Sequence, residues 1–137
     1  MEQINYMMGI LIVDDSLSMR RVIKKFLFNH EFSNFFEAED GQKALEIVQN
    51  ETIDLIISDL NMPVMNGLTF LEKIKKNPAT KDIPFIMLTV EAIQKTMNKA
   101  IALNVDSYIV KPITEKLFIN EMLRVIRSSG HDHDLLL

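Results

Sequence analysis

Ile10-Leu11-Ile12-Val13-Asp14-Asp15 runs four branched apolar side chains straight into two carboxylates. An unbroken apolar run suits a strand covered on both faces, as in a parallel sheet, and the abrupt change to acid marks its carboxyl end. Three later stretches stop the same way. Ile53-Asp54-Leu55-Ile56-Ile57 leads through Ser58 to Asp59, Pro84-Phe85-Ile86-Met87-Leu88 leads to Thr89, and Tyr108-Ile109-Val110 leads to Lys111-Pro112. Open parallel sheets gather the carboxyl ends of their strands into one crevice. The acids, the hydroxyl and the ammonium are therefore expected to meet, and that set suits a magnesium ion and a phosphoryl group.

Outward from these runs, apolar stretches alternate with segments of helical period, which predicts an α/β fold of five strand-helix units. The first is a strand at 9–13 and a helix at 17–29 with Met19, Val22, Ile23, Phe26 and Leu27 inward, capped by Ser16 or Ser18. The second is a short strand at 34–38, a turn at Asp40-Gly41 and a helix burying Ala44, Leu45 and Val48. The third is a strand at 53–58, a loop at 61–67 punctuated by Pro63 and Gly67, and a helix with Leu68, Leu71 and Ile74 inward. The fourth is a strand at 84–88 and a helix at 91–103 burying Ile93, Met97, Ala100 and Ile101, with Asn104 as a left-handed stop. The fifth is a strand at 107–110 and a helix at 113–127. That helix is apolar beyond one stripe: Leu117, Phe118, Met122, Val125 and Ile126 leave Ile113, Ile119 and Leu123 over, a surplus pointing to a partner or homodimer surface.

The pattern accounts for one domain over 8–127. The remaining 128–137 reads as a flexible C-terminal tail, in which His131 and His133 alternate with Asp132 and Asp134 as in adventitious metal-binding tracts. A chain of 137 residues buries enough apolar surface for a core without a metal or disulfide staple. Cysteine is absent, which excludes thiolate chemistry and agrees with a cytoplasmic location. A formal charge of -4, with no basic block longer than a pair, argues against direct nucleic-acid binding. No apolar run approaches the ~18 residues of a membrane helix, so no membrane insertion is expected.

At the crevice, a second carboxylate beside Asp14 adds repulsion that folding alone does not favour and that a divalent cation relieves. The structural alternative has one acid capping the first helix and the other in solvent. Asp59, beside a cation and with an open side, is suited to act as a nucleophile toward phosphorus. Thr89 can reach a phosphoryl oxygen or simply cap the helix at 91–103. Lys111 can pair with a charge that comes and goes, though alone it reads as a solvated loop lysine. Together these positions argue for reversible phosphorylation of an aspartate.

The Ile-Leu-Ile-Val-Asp14-Asp15-Ser opening, Asp40-Gly41, Asp59 with Met62-Pro63 and Gly67, Thr89 with Glu91-Ala92, and Tyr108-Ile-Val-Lys111-Pro112 resemble the response-regulator receiver domain of two-component signalling, of the single-domain chemotaxis type, over essentially 8–127. The resemblance implies a flavodoxin-like, doubly wound, five-stranded parallel sheet of order 2-1-3-4-5. It implies that Asp59 accepts phosphoryl from a histidine kinase or a histidine phosphotransfer protein, acting as a phosphoacceptor rather than a dedicated turnover enzyme. Asp15, Asp59 and the Asn61 carbonyl would hold Mg2+, with Asp14 acting through bound water. Lys111 would pair with the phosphoryl group across a cis Lys111-Pro112 bond. Thr89 and Tyr108 would be the switch residues, read by a downstream protein on the fourth helix, fifth strand and fifth helix.

Departures from the family pattern sit close to these residues. Val90 stands where Ala or Gly is usual, and its branched side chain is expected to narrow access to Asp59. Asn104-Val105 replaces the common Gly-Ala. Asn61 and Glu91, each two residues beyond a reacting side chain, are placed to influence the hydrolytic water.

Competing readings are a receiver-shaped interaction module that works without phosphorylation, and the N-terminal receiver of a larger transcriptional regulator. Flavin binding lacks a phosphate-cradling loop after the first strand, and Asp14-Asp15 would repel the flavin phosphate. Gly-x-Gly-x-x-Gly and P-loop motifs are absent, and adjacent acids are not the Asp-x-Asp of metal-dependent phosphatases.

Overall fold

The computed structural model describes residues 4–135, with side chains as far as Ser128. Strands and helices alternate throughout: β1 Ile10–Val13, α1 Leu17–Phe28, β2 Phe35–Ala38, α2 Gly41–Asn50, β3 Leu55–Ser58, α3 Gly67–Lys76, β4 Phe85–Thr89, α4 Gln94–Ala102, β5 Ser107–Val110 and α5 Glu115–Leu135. All four strand pairings are parallel, in the order β2-β1-β3-β4-β5. The expected doubly wound sheet is the one observed.

Alternation along each buried strand splits the apolar residues between two layers. Ile10, Ile12, Leu55, Ile57, Ile86 and Leu88 face α1 and α5, where they meet Ile23, Leu27, Phe118, Met122 and Val125. Leu11, Val13, Ile56, Phe85 and Met87 face the other way, onto Ala44, Phe70, Leu71, Ile74 and Ala100. With both faces covered, only the strand ends are open to ligands.

Local chemistry sets where helices start. Ser16 accepts the Met19 N–H at 3.2 Å and caps α1, which decides between Ser16 and Ser18. Asp40 accepts the Lys43 N–H at 2.9 Å for α2, and Asn66 the Thr69 N–H at 2.9 Å for α3. Helix α4 starts at Gln94 rather than 91, after Ile93, with no side-chain cap. Thr89 is therefore not its cap.

The apolar faces need three corrections. Ile93 and Ile101 are exposed, because α4 turns Ala100 to the sheet and holds Met97 and Leu103 only half-buried. Val22 of α1 is also exposed. On α5, Leu117 is exposed while Ile119 is buried, so part of the apparent surplus belongs to the core. Helix α5 also begins at Glu115 and continues to Leu135, through residues expected to form a tail. Extending an existing helix adds a hydrogen bond per residue without a new nucleation cost, and Gly130, at about 1 kcal/mol, does not outweigh that. The His131 and His133 side chains, and residues 136–137 of the expected tail, lie outside what is described.

Candidate active site

Strand register builds the site. Val13 pairs with Ser58, so the next residues, Asp14 and Asp59, leave neighbouring strands side by side. Backbone bonds extend this alignment past the strands: Asp59 N–H donates to the Val13 carbonyl at 2.8 Å, and Lys111 N–H to the Thr89 carbonyl at 2.7 Å. Asp14, Asp59, Thr89 and Lys111 thus share the carboxyl edge of the sheet, as the four strand ends predict.

Asp14 is buried, Asp59 half-buried and Asp15 exposed, and one carboxylate oxygen from each lies within 4.8 Å of the others. Lys111 Nζ is 3.0 Å from Asp14 Oδ2 and 3.6 Å from Asp59 Oδ2. One ammonium pairs with two of the three carboxylates, leaving two negative charges uncompensated, the deficit a divalent cation supplies. The donors are all hard oxygens, which suits magnesium. The acids thus fit the implied ion.

Backbone donors orient the remaining oxygens. Asp14 Oδ1 accepts the Ser16 N–H at 2.9 Å and Asp59 Oδ1 accepts the Leu60 N–H at 2.7 Å. Burial pushes the Asp14 carboxyl above its ordinary range and the Asp59 charge adds to this, while the Ser16 N–H and Lys111 oppose it. The helix-cap alternative for the acid pair is excluded, since Ser16 fills that role.

The other expected residues fall around this cluster. Thr89 is fully buried, and its Oγ1 accepts the Glu91 N–H at 3.2 Å. Tyr108 Oη donates to the Glu91 carbonyl at 2.7 Å. Burial raises the Tyr108 pKa, and the charges on Glu91 and Asp59 raise it further. Asn61 is exposed in the loop after Asp59, and Val90 is exposed beside Thr89. The Lys111-Pro112 peptide is cis.

Two further residues shape the site: Gly67, singled out in the sequence as loop punctuation and in the family resemblance, and Arg20, which was not. A Cβ on Gly67 would lie 2.2 Å from the Asp59 carbonyl oxygen, so Gly67 is needed for space where the chain folds back against Asp59. Arg20 Nη1 donates to the Asp14 carbonyl at 2.6 Å. Gly67 is marked in the sequence as a loop glycine but without the reason for it, and Arg20 has no local signal, reading only as half of a basic pair on a helix.

Among the described residues no helix is long and apolar enough to cross a membrane. The family model described as response regulator receiver domain matches residues 10–123. The chemotaxis protein CheY-3 of Vibrio cholerae is 40% identical over 111 residues, covering 81% of this chain and 85% of that protein. CheY1 of Helicobacter pylori is 39% identical over 120 residues, covering 87% and 96%. The structure of the Vibrio cholerae chemotaxis response regulator CheY4 superposes with a TM-score of 0.79 at 33% identity, over 87% of this chain and 98% of that one. With the fold, the acid cluster and these relatives in agreement, the chain belongs to the response-regulator receiver family.

Proposed function

We propose that this receiver, over residues 8–127, accepts a phosphoryl group on Asp59 from a histidine kinase or histidine phosphotransfer protein and is read by a downstream protein on α4, β5 and α5. The observation that carries the reading is the crowding of Asp14, Asp15 and Asp59 with only one ammonium, Lys111, which pairs with Asp14 and Asp59. Like charges at this spacing oppose folding, and a cation and an incoming phosphoryl group give them a use.

In the transfer, a carboxylate oxygen of Asp59 forms the new bond to phosphorus as the bond from phosphorus to the donor histidine nitrogen breaks, and the electron pair leaves with the imidazole. Asp59 Oδ1 is held by the Leu60 N–H, and Oδ2, which faces Lys111, is the oxygen we assign to the attack. Asp14, Asp15 and Asp59, with the Asn61 carbonyl, would hold Mg2+. When bound, the ion neutralises charge on the phosphoryl oxygens. Lys111, already between Asp14 and Asp59, moves its pairing to the phosphoryl group. Thr89 supplies a hydroxyl from the neighbouring strand end and in doing so gives up the Glu91 N–H, the residue whose carbonyl also holds Tyr108. Charge at Asp59 is thereby tied to the start of α4, and Val90 and Ile93 before that helix, Ile101 near its end and Val110 of β5 present exposed apolar side chains to a partner.

Acetyl phosphate with magnesium is expected to add one phosphoryl group by intact mass, and Asp59→Asn or omission of magnesium to abolish the adduct. A full adduct in the variant would remove Asp59 as acceptor. No adduct in the wild type, after rapid hydrolysis has been checked by a stable beryllofluoride mimic, would move the function to phosphorylation-independent binding.

A further inference from the structure

Arg20 lies outside the acid cluster but grips its backbone. It ends the first turn of α1, its side chain mostly covered, with Nη1 donating to the carbonyl of Asp14 at 2.6 Å and Nε to Glu37 Oε1 of the neighbouring β2 at 3.0 Å. Lys24, one turn further along, holds the other Glu37 oxygen at 2.9 Å. Burial works against the Glu37 charge, but the hydrogen bonds from Lys24 and Arg20 outweigh it and keep the carboxyl below its ordinary range. Glu37 therefore stays ionised and the Arg20 fork stays oriented at neutral pH.

The carbonyl that Arg20 holds belongs to the peptide joining Asp14 to Asp15. Its plane sets the direction in which the Asp15 Cα leaves the strand. The other two acids are fixed by groups of their own: Asp14 by Ser16 N–H and Lys111, Asp59 by Leu60 N–H. Asp15 is exposed, and no hydrogen bond or ion pair to its carboxylate occurs among the described residues. What directs it toward the cluster is the backbone, and what holds that peptide from the side is Arg20.

We propose that Arg20, braced by Glu37, is a positioning residue that aims Asp15 at the cation. The proposal rests on the magnesium reading of the site. Its sign separates it from simple electrostatics: a positive charge near the acids disfavours a cation, so removing it without any positional effect would tighten binding, whereas loss of the clamp weakens it.

The test is magnesium titration of the metal-free protein, followed by amide NMR shifts at the site and by the magnesium-induced rise in unfolding midpoint, in wild type, Arg20→Gln, Arg20→Lys and Asp15→Asn. Both Arg20 variants are expected to bind magnesium weaker by on the order of tenfold, as for outer groups that orient ligands. Lysine keeps the charge but cannot grip the carbonyl and Glu37 together. A merely structural Arg20 would lower the midpoint equally with and without magnesium, whereas a positioning role shrinks the magnesium-linked increment. Unchanged or tighter binding in Arg20→Gln overturns the proposal, and if that variant does not fold, wild-type affinity in Arg20→Lys does so. Absence of site shifts in the wild type would instead sink the magnesium reading, and the clamp with it.

Discussion

The two edges of the sheet use aspartate in opposite ways. At the amino edge, Asp54 and Asp106 each precede a strand and accept the backbone N–H that opens the neighbouring one: Asp54 takes Gly9 N–H at 2.8 Å, and Asp106 takes Phe85 N–H at 2.7 Å while pairing with Lys75 at 3.0 Å. The device occurs at both β1-β3 and β4-β5, and each acid has a partner of its own. At the carboxyl edge three acids crowd together, two of them share one lysine and Asp15 has no partner among the described residues. An acid that serves the fold sits apart from its like, and acids crowded together at a strand end serve something that arrives later.

The contrast predicts unequal responses to substitution. Lys111→Met should have the largest effect, destabilising the metal-free protein by about 3 kcal/mol, since removing one partner of a buried pair leaves the others uncompensated. Urea unfolding measures this, and adding Asp59→Asn should recover part of the loss; a near-neutral Lys111→Met would mean that solvent already compensates the acids. At the other edge, Asp106→Ala should cost about 2 kcal/mol, the range for a charged group bonded to a backbone donor, while leaving the magnesium-induced increment intact. Loss of that increment would show the two edges to be coupled.

Asp59→Asn should do the reverse and stabilise the metal-free protein by about 1 kcal/mol, because it removes a like charge beside Asp14. Destabilisation by this variant would end the contrast between the edges.

Glu121 gives the smallest effect. The Arg124 hydrogen bond holds its carboxyl below the ordinary range, burial opposes this, and the Ser107 hydroxyl, 2.7 Å away, assists. A depressed carboxyl favours the folded state above the ordinary glutamate range and loses that advantage as pH falls through the folded value. In this half-exposed place the amount is about 0.5 kcal/mol. Stability curves of wild type and Glu121→Gln should therefore differ at neutral pH and converge in acid; divergence in acid would contradict the assignment.

Much of the carboxyl edge was legible because an apolar strand ending in a polar or charged residue shows both burial and its interruption within a few residues. Asp14, Asp15, Asp59, Thr89 and Lys111 all follow from that one signal. Asp54 carries no such mark: inside Ile53-Asp54-Leu55 it reads as part of the strand, and its bond to Gly9 depends on a strand 45 residues away. Arg20, and the steric reason for Gly67, were hidden likewise, since each lies against a backbone carbonyl brought near by the fold. The rotation of α4, which exposes Ile93 and Ile101, follows from contact with the sheet rather than from period alone. Val64 was equally silent: it adopts φ 65° at an exposed turn closed by Met65 N–H to the Pro63 carbonyl at 2.7 Å, a conformation β-branched residues avoid.

Helix α4 is nine residues long, lacks a side-chain cap and buries only Ala100. Little free energy separates its docked and frayed forms, so its first amide protons should be among the earliest in any helix here to exchange with deuterium. A segment that opens so readily is moved by small inputs: the loss of one hydrogen bond at Glu91 is comparable to what holds its first turn in place.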